Sequence, residues 1–281
     1  MSPVDVRISS CAGFCWGVER ALEIARKAAA ESAGPIRTLG PLIHNPGVIG
    51  DLQRRGIQVI SDADTVLDGT VILRSHGVPK EVKQRLCAAG LEVVDATCRF
   101  VTSAQKKAAG LKSAGYLVII LGERDHPEVA GLLSYAGEGS LVAETPADLP
   151  EKLPNPRVGV VVQTTQSPER LSELVAYLAP RARELLVHNT ICSATQQRQT
   201  AAIAMAREVD VVVVVGGRDS GNTRRLAQLC AAEQPRTYHV EAAEEIDPDW
   251  LRDARVVGIT AGASTPPEQI AAVAQRLREV G

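Results

Sequence analysis

The chain has 281 residues, a formal net charge of −2 and 45% hydrophobic residues, which is ordinary for a globular protein. Aromatic residues make up only 3%, and no basic face is visible, so the composition argues against a nucleic-acid partner. The longest purely aliphatic runs, such as Val211–Val215, are far shorter than the roughly 20 residues that cross a bilayer. Because charged residues also interrupt the first thirty positions, we expect no membrane span, no secretory signal and a cytoplasmic location.

The predicted elements repeat along the chain in one order: a cysteine, a helix, a strand, a helix, a strand, and then another strand and helix. The first such unit begins at Cys15, after which apolar residues recur at helical spacing from Val18 to Ala25. A proline repeatedly follows a strand and opens the next helix, where its missing N–H costs nothing. These prolines are Pro46, Pro79, Pro127, Pro168 and Pro266.

Two further copies of this unit follow, and they align with each other without a gap. A shift of 192 − 98 = 94 positions places Cys98–Leu132 over Cys192–Leu226. Their aliphatic runs, Leu117–Leu121 and Val211–Val215, are typical of strands buried on both faces. The alternation predicts an α/β fold of three pseudo-repeated modules, with mainly parallel sheets around a central pseudo-threefold site. The predicted modules are residues 1–95, 96–189 and 190–281.

Polar residues lie at the junctions where a strand meets the next helix. In parallel sheets this carboxyl edge is where ligands bind, and neutral donors beside helix N–H groups suit phosphate oxygens. The alternative is that Ser, Thr and Asn only cap the helices, whereas histidine is an uncommon cap. No GxxxxGK[ST] or GxGxxG sequence occurs, which argues against a nucleotide. The junctions are His44-Asn45-Pro46, Ser75-His76-Gly77, His126-Pro127-Glu128, Thr164-Thr165, Ser220-Gly221-Asn222 and Ser264-Thr265.

Cys15, Cys98 and Cys192 precede the equivalent helices of the three copies, and a helix N-terminus stabilises a thiolate. The other three cysteines have no counterpart under the repeat, and we interpret them as buried or incidental. Three thiolates around a threefold axis suit zinc with a histidine or water as fourth ligand, or an iron–sulfur cluster with one open iron. The spacing favours the cluster only slightly, so both alternatives stay open at this point.

Nine short motifs occur in order: GFCWGVERA, GPLIHNP, RSHGVP, DATC, HPEVAG, QTTQ, NTIC, DSGNTRRL and GASTP. Together they resemble the 4-hydroxy-3-methylbut-2-enyl diphosphate reductase family, from about residue 6 to the C-terminus. The resemblance implies a 4Fe–4S cluster on Cys15, Cys98 and Cys192, with one iron open to substrate. It also implies reductive removal of a hydroxyl group as water, in the last step of the non-mevalonate isoprenoid pathway. The implied products are isopentenyl and dimethylallyl diphosphate, and the implied electron donor is a ferredoxin or flavodoxin.

The resemblance also assigns roles to the junction residues. Glu128 is expected to donate a proton, assisted by His126 and by Thr164 or Thr165. Without the resemblance, Glu128 is simply a first-turn glutamate favoured by the helix dipole. The residues expected to bind the substrate, mainly through its diphosphate, are His44, His76, His126, Thr164, Thr165, Ser220, Gly221, Asn222 and Ser264.

Two positions depart from the family pattern. Arg99 follows the second ligand cysteine where many members have proline, and Gly221 replaces a serine and offers only a backbone N–H. Two other functions remain open: a non-catalytic iron–sulfur sensor on the same scaffold, and a zinc or metal-free phosphate-binding protein. A sensor needs only the cysteines, so the presence of Glu128 and His126 favours the enzyme.

Overall fold

The structure is a computed structural model that describes residues 4–32 and 34–281. Within these ranges it has nine α-helices and twelve β-strands, and none of those helices is long and apolar enough to cross a membrane. The strands are β1 (Asp5–Ile8), β2 (Ile36–Leu39), β3 (Ile57–Ile60), β4 (Thr70–Leu73), β5 (Glu92–Asp95), β6 (Leu117–Leu121), β7 (Leu141–Ala143), β8 (Arg157–Val162), β9 (Glu184–His188), β10 (Val211–Val215), β11 (Thr237–Val240) and β12 (Val256–Ala261). The helices are α1 (Trp16–Glu31), α2 (Pro46–Arg54), α3 (Lys80–Ala88), α4 (Arg99–Ser113), α5 (Pro127–Ala136), α6 (Pro168–Leu178), α7 (Ser193–Ala206), α8 (Gly221–Glu233) and α9 (Pro267–Val280).

The strands form three four-stranded sheets in which all neighbouring strands are parallel. Their strand orders are β3-β2-β4-β5, β7-β6-β8-β9 and β11-β10-β12-β1. The three orders are equivalent, since the second strand of each directly follows a helix headed by one of the repeated cysteines. This confirms the predicted α/β fold with three repeated parallel modules.

The start of the chain completes the third sheet. Only three strands follow Cys192, and the fourth position is filled by β1, with Asp5 opposite Val256 and Ile8 opposite Ile259. The predicted module limits at 95 and 189 fall between sheets, but residues 5–8 pair with the third sheet rather than the first. The division of the chain into three modules at these limits stays a prediction.

The chain divides into two compact units by its internal contacts. One unit combines the N-terminal segment up to Glu19 with His44–Val48 and Ser193–Gly281, and it contains the sheet β11-β10-β12-β1. The other combines Arg20–Ile43 with Ile49–Cys192 and contains the other two sheets. Each unit therefore has strand-to-helix junctions of its own.

The central strands of the sheets are buried on both faces, as their aliphatic runs predict. All five residues of β6 and all five of β10 are buried. The odd-numbered valines of β10 pack in one cluster with α9, and the even-numbered valines pack in another with α8. Burying one such valine contributes about 1.5–3 kcal/mol, so these runs stabilise the packing of helices on both faces of the sheet.

All five predicted helix-opening prolines lie at helix starts. Pro46, Pro127 and Pro168 are the first residues of α2, α5 and α6. Pro79 and Pro266 directly precede α3 and α9 as their N-caps. Proline has no N–H that could be left unpaired in the first turn, and its φ angle already suits a helix. The helix therefore begins at or directly after the proline. The polar junction residues are thereby held at the carboxyl ends of the strands.

Candidate active site

The three cysteines predicted as metal ligands occupy equivalent positions in the three modules. Cys15 directly precedes α1, Cys98 is the N-cap of α4, and Cys192 directly precedes α7. All three are partly exposed, and all six cysteines of the chain are thiols rather than disulfides. A helix N-terminus carries partial positive charge, so each cysteine lies where a bound anionic group would be stabilised.

The backbone anchors these cysteines in the same way in each module. Each cysteine N–H donates to a carbonyl group two residues beyond the end of β12, β4 or β8. The bonds join Cys15 to Ala263 (3.1 Å), Cys98 to Ser75 (2.9 Å) and Cys192 to Thr164 (2.9 Å). Three partly exposed thiols at equivalent helix starts fit an iron–sulfur cluster with one open position. The meeting of the three sulfur atoms at one point stays a prediction.

Glu128 is a buried carboxyl group in the first turn of α5, with 1% of its surface exposed. The backbone N–H of Thr164 donates to its Oε1 at 2.7 Å, and the Thr164 hydroxyl donates to its Oε2 at 2.9 Å. Burial raises the pKa of Glu128 to about 7, although both hydrogen bonds from Thr164 act to lower it. Glu128 therefore exchanges a proton near neutral pH, as a general acid must.

His126 is the N-cap of α5. Its Nδ1 accepts a hydrogen bond from the backbone N–H of Glu128 at 3.1 Å. Histidine is an uncommon cap, yet here it caps the helix. Its imidazole nitrogen takes the place of the usual hydroxyl or carboxylate oxygen. With Nδ1 as acceptor, a neutral His126 ring carries its proton on Nε2. The ring also meets that of His76 edge to face, with 5.5 Å between the ring centroids.

The two threonines after β8 have different partners. Thr164 contacts Glu128, whereas the Thr165 hydroxyl accepts a hydrogen bond from Gln163 Nε2 at 3.0 Å. Gln163 Oε1 in turn accepts from the backbone N–H of Glu123 at 2.9 Å. Of the predicted alternatives, Thr164 is thus the threonine placed to orient Glu128.

The other unit contains the predicted diphosphate-binding residues at the start of α8. Ser220 is the N-cap of α8, and its Oγ accepts from the backbone N–H of Thr223 at 3.3 Å. Asn222 is 4% exposed, and neither atom of its amide has a hydrogen-bond partner among the residues that the structure describes. An unsatisfied buried amide costs about 1–3 kcal/mol. Beside a helix N-terminus it therefore indicates a polar or anionic ligand.

Three more predicted residues, Gly221, Ser264 and His44, lie in the same unit. Gly221 is the first residue of α8 and offers a backbone N–H. The Ser264 hydroxyl, before α9, donates to the carbonyl oxygen of His44 at 3.1 Å. The neighbouring Asn45 caps α2 through Val48 N–H (3.1 Å).

The model of the LytB protein family matches residues 6–278, which is nearly the whole chain. The chain belongs to the LytB family. It is similar to the 4-hydroxy-3-methylbut-2-enyl diphosphate reductase of Aquifex aeolicus, with 44% identity over 281 residues that cover 99% of this chain and 97% of the relative. It is also similar to the 4-hydroxy-3-methylbut-2-enyl diphosphate reductase of Geobacter sulfurreducens, with 47% identity over 277 residues that cover 98% of each chain.

Two solved structures share the fold of this LytB protein. One is an (E)-4-hydroxy-3-methyl-but-2-enyl diphosphate reductase described as the terminal enzyme of the non-mevalonate pathway, with a TM-score of 0.72, 44% identity and coverage of 98% of this chain and 99% of that chain. The other is the E-1-hydroxy-2-methyl-but-2-enyl-4-diphosphate reductase from Plasmodium falciparum, with a TM-score of 0.89, 25% identity and coverage of 96% and 86%. The predicted family resemblance is confirmed.

The structure groups the predicted residues of this LytB protein by unit. One group consists of His76, His126, Glu128 and Thr164, linked by the contacts above. Ser220, Gly221 and Asn222 form the start of α8 in the other unit. Their contacts with a substrate stay predictions, as do those of the other predicted residues.

Sequence reasoning missed two supporting residues. Gln163 links Thr165 to the backbone of Glu123, and its place at the head of the QTTQ motif was the available signal. Arg198, in α7, is a buried cation that no motif or periodicity singles out.

Proposed function

We propose that this LytB protein is a 4-hydroxy-3-methylbut-2-enyl diphosphate reductase. It takes up two electrons and two protons, replaces the substrate's hydroxyl group by hydrogen and releases water. The products are isopentenyl and dimethylallyl diphosphate. The observation that carries the proposal is the buried Glu128, whose pKa of about 7 makes it a proton donor at neutral pH.

Cys15, Cys98 and Cys192 would hold a 4Fe–4S cluster. When bound, the cluster supplies electrons and, at the iron without a cysteine ligand, a Lewis acid for the substrate's hydroxyl group. A separate reductant such as ferredoxin or flavodoxin replaces the electrons. The equivalent backbone anchors of the three cysteines support this donor set.

Glu128 protonates the departing hydroxyl group so that it leaves as water. Its pKa of about 7 means that roughly half of the molecules carry this proton at pH 7. Thr164 holds both carboxyl oxygens, so the acid has one orientation. His126 accepts from the backbone of Glu128 through Nδ1, so its neutral form carries the ring proton on Nε2.

The diphosphate binds to neutral donors at the start of α8. Asn222 brings an amide whose hydrogen bonds are otherwise unmade among the described residues, and Gly221 brings a backbone N–H. The positive end of the helix dipole adds attraction for an anion. Gly221 lacks the side-chain hydroxyl of some relatives, so Asn222 and Ser220 have the larger share of the recognition.

The test uses anaerobically purified protein, a reduced viologen dye as electron source and the hydroxylated diphosphate as substrate. Glu128→Gln should keep the cluster's visible spectrum and the substrate affinity but lower kcat by about 10²–10⁴-fold. The matched control is Glu169→Gln, because Glu169 is the exposed first-turn glutamate after Pro168 in α6. It should retain wild-type turnover.

Each outcome bears on a different part of the proposal. Full activity of Glu128→Gln removes Glu128 from proton transfer. A colourless protein that contains zinc, or an iron protein with no dye-driven turnover, contradicts the reductase and favours the phosphate-binding or sensor alternative.

A further inference from the structure

Arg198 is a buried cation that forms no ion pair with any residue in the ranges 4–32 and 34–281. Its side chain lies in α7 and is 5% exposed. The guanidinium donates to the carbonyl oxygen of Gly13 at 2.6 Å through Nη2, and to that of Ala194 at 3.0 Å through Nη1. Its Nε has no hydrogen-bond partner, and no carboxylate pairs with it, anywhere in the part of the chain that the structure describes.

Such a group is unfavourable unless a negative charge balances it. Removing a cation from water is costly, and carbonyl dipoles return only part of that cost. Arg207, just beyond the end of α7, shows the ordinary arrangement: it is exposed and forms two 2.9 Å hydrogen bonds with the carboxylate of Glu233. None of the described carboxylates takes this part for Arg198.

The internal repeat shows that the two equivalent helices pack without such a cation. Arg198 lies six residues after Cys192, and the positions six residues after Cys15 and Cys98 are Ala21 and Ala104. Both alanines are fully buried in the equivalent helices. The equivalent helix therefore has a buried alanine at this position in two copies, and only the third copy has a buried arginine there.

The contacts of Arg198 point to what balances it. Gly13 is two residues before Cys15, and Ala194 is two residues after Cys192. The guanidinium thus binds the backbone beside two of the three cysteines that are proposed to carry negative charge as metal ligands.

We propose that Arg198 is a positioning residue for the cluster. Its charge offsets that of the thiolate-bound cluster, and its hydrogen bond to the Gly13 carbonyl holds the guanidinium beside the loop before Cys15. This inference rests on the proposed function only in requiring a cluster on these cysteines. Reduction adds one negative charge to the cluster, so a nearby buried cation stabilises the reduced state and raises the reduction potential.

A redox titration of the anaerobic holoprotein, followed by electron paramagnetic resonance, tests the charge effect without substrate. Arg198→Gln should make one-electron reduction at least about tenfold less favourable, which is about 59 mV for a one-electron couple. Arg198→Lys, which keeps the charge, should shift the equilibrium by less than about threefold. Arg207→Gln is the matched control on an exposed, paired arginine and should leave the potential unchanged.

A wild-type potential in Arg198→Gln protein that holds a full cluster overturns the inference. If wild-type protein holds a cluster but shows no dye-driven turnover, the proposed function fails while the titration still decides the role of Arg198.

A second measurement covers the case in which Arg198→Gln does not retain a cluster. Arg198→Met removes the charge at similar volume, so the unfolding equilibrium constant of the cluster-free protein should stay within about threefold of wild type or fall. If Arg198 served only to hold the backbone in place, the result would be the opposite. The loss of its two hydrogen bonds to carbonyl groups would then raise that constant by more than about tenfold. That rise would overturn the inference.

Discussion

Glu128→Gln should stabilise the cluster-free protein at alkaline pH and leave it nearly unchanged at acid pH. The ordinary pKa of a glutamate is 4.5, and burial raises that of Glu128 to about 7. Between these values the folded protein binds the proton more tightly than the unfolded chain does. The free energy of unfolding therefore falls as pH rises from about 4.5 to about 7 and stays low above that range.

The size of this effect follows from the two pKa values. At 1.36 kcal/mol per pH unit, the difference between 4.5 and about 7 corresponds to about 3 kcal/mol. Glutamine has the same shape, can accept from the Thr164 N–H and donate to the Thr164 hydroxyl, and carries no charge at any pH. The variant should thus be free of the pH-dependent penalty.

Urea unfolding of wild type and Glu128→Gln at about pH 5 and about pH 8 measures the difference. The stability of the variant relative to wild type should rise by up to about 3 kcal/mol between these pH values. Glu169→Gln, on the exposed first turn of α6, is measured in parallel and subtracted. The reasoning is refuted if the variant and wild type keep a constant offset, since Glu128 would then ionise alike in the folded and unfolded chains.

Three further substitutions test the surroundings of these sites. Thr164→Val removes the hydroxyl that lowers the pKa of Glu128, so the alkaline limb of the pH–kcat profile should move to higher pH. If the limb does not move, the Thr164 hydroxyl does not set the pKa of the catalytic acid. Asn222→Leu should raise KM for the diphosphate about 10- to 100-fold, while urea unfolding without substrate changes by less than about 1 kcal/mol; an unchanged KM contradicts the binding role. Gly77→Ala should cost about 1–3 kcal/mol of unfolding free energy, because φ is 75° and the new Cβ would lie 2.7 Å from a glutamine nitrogen. Gly90→Ala, with φ of 73° and open space around it, isolates the backbone part, and equal losses at both positions contradict the steric reason.

Local repetition explains why most of the fold could be predicted from the sequence. The order of cysteine, helix and strands recurs three times, and each aliphatic run is a strand where it was expected. The helix-opening prolines are equally local signals, because proline at a helix start depends only on its own backbone. The cysteines at the heads of α1, α4 and α7 follow from the same register.

The unpredicted features depend on contacts between residues far apart in sequence. β1 pairs with β12 across some 250 positions, and only the missing fourth strand of the third copy could have indicated it. The burial of Arg198 depends on the loop at Gly13, 185 residues away. His126 is a different case, since its cap is local but replaces the usual side-chain oxygen with an imidazole nitrogen.

The repeat also explains how one backbone provides two kinds of chemistry. The helices α2, α5 and α8 are equivalent, and each is capped by the side chain of the residue before it. The second residue of the helix differs among the three copies. The caps are Asn45, His126 and Ser220, and the second residues are Gly47, Glu128 and Asn222. The same helix start thus holds a buried acid in one copy, an unsatisfied buried amide in another and no side chain in the third. Because the proposed substrate has a hydroxyl at one end and a diphosphate at the other, a symmetric site would serve it poorly. Divergence at this one position gives the proposed acid and the proposed anion-binding group to different copies while the backbone that holds them stays the same.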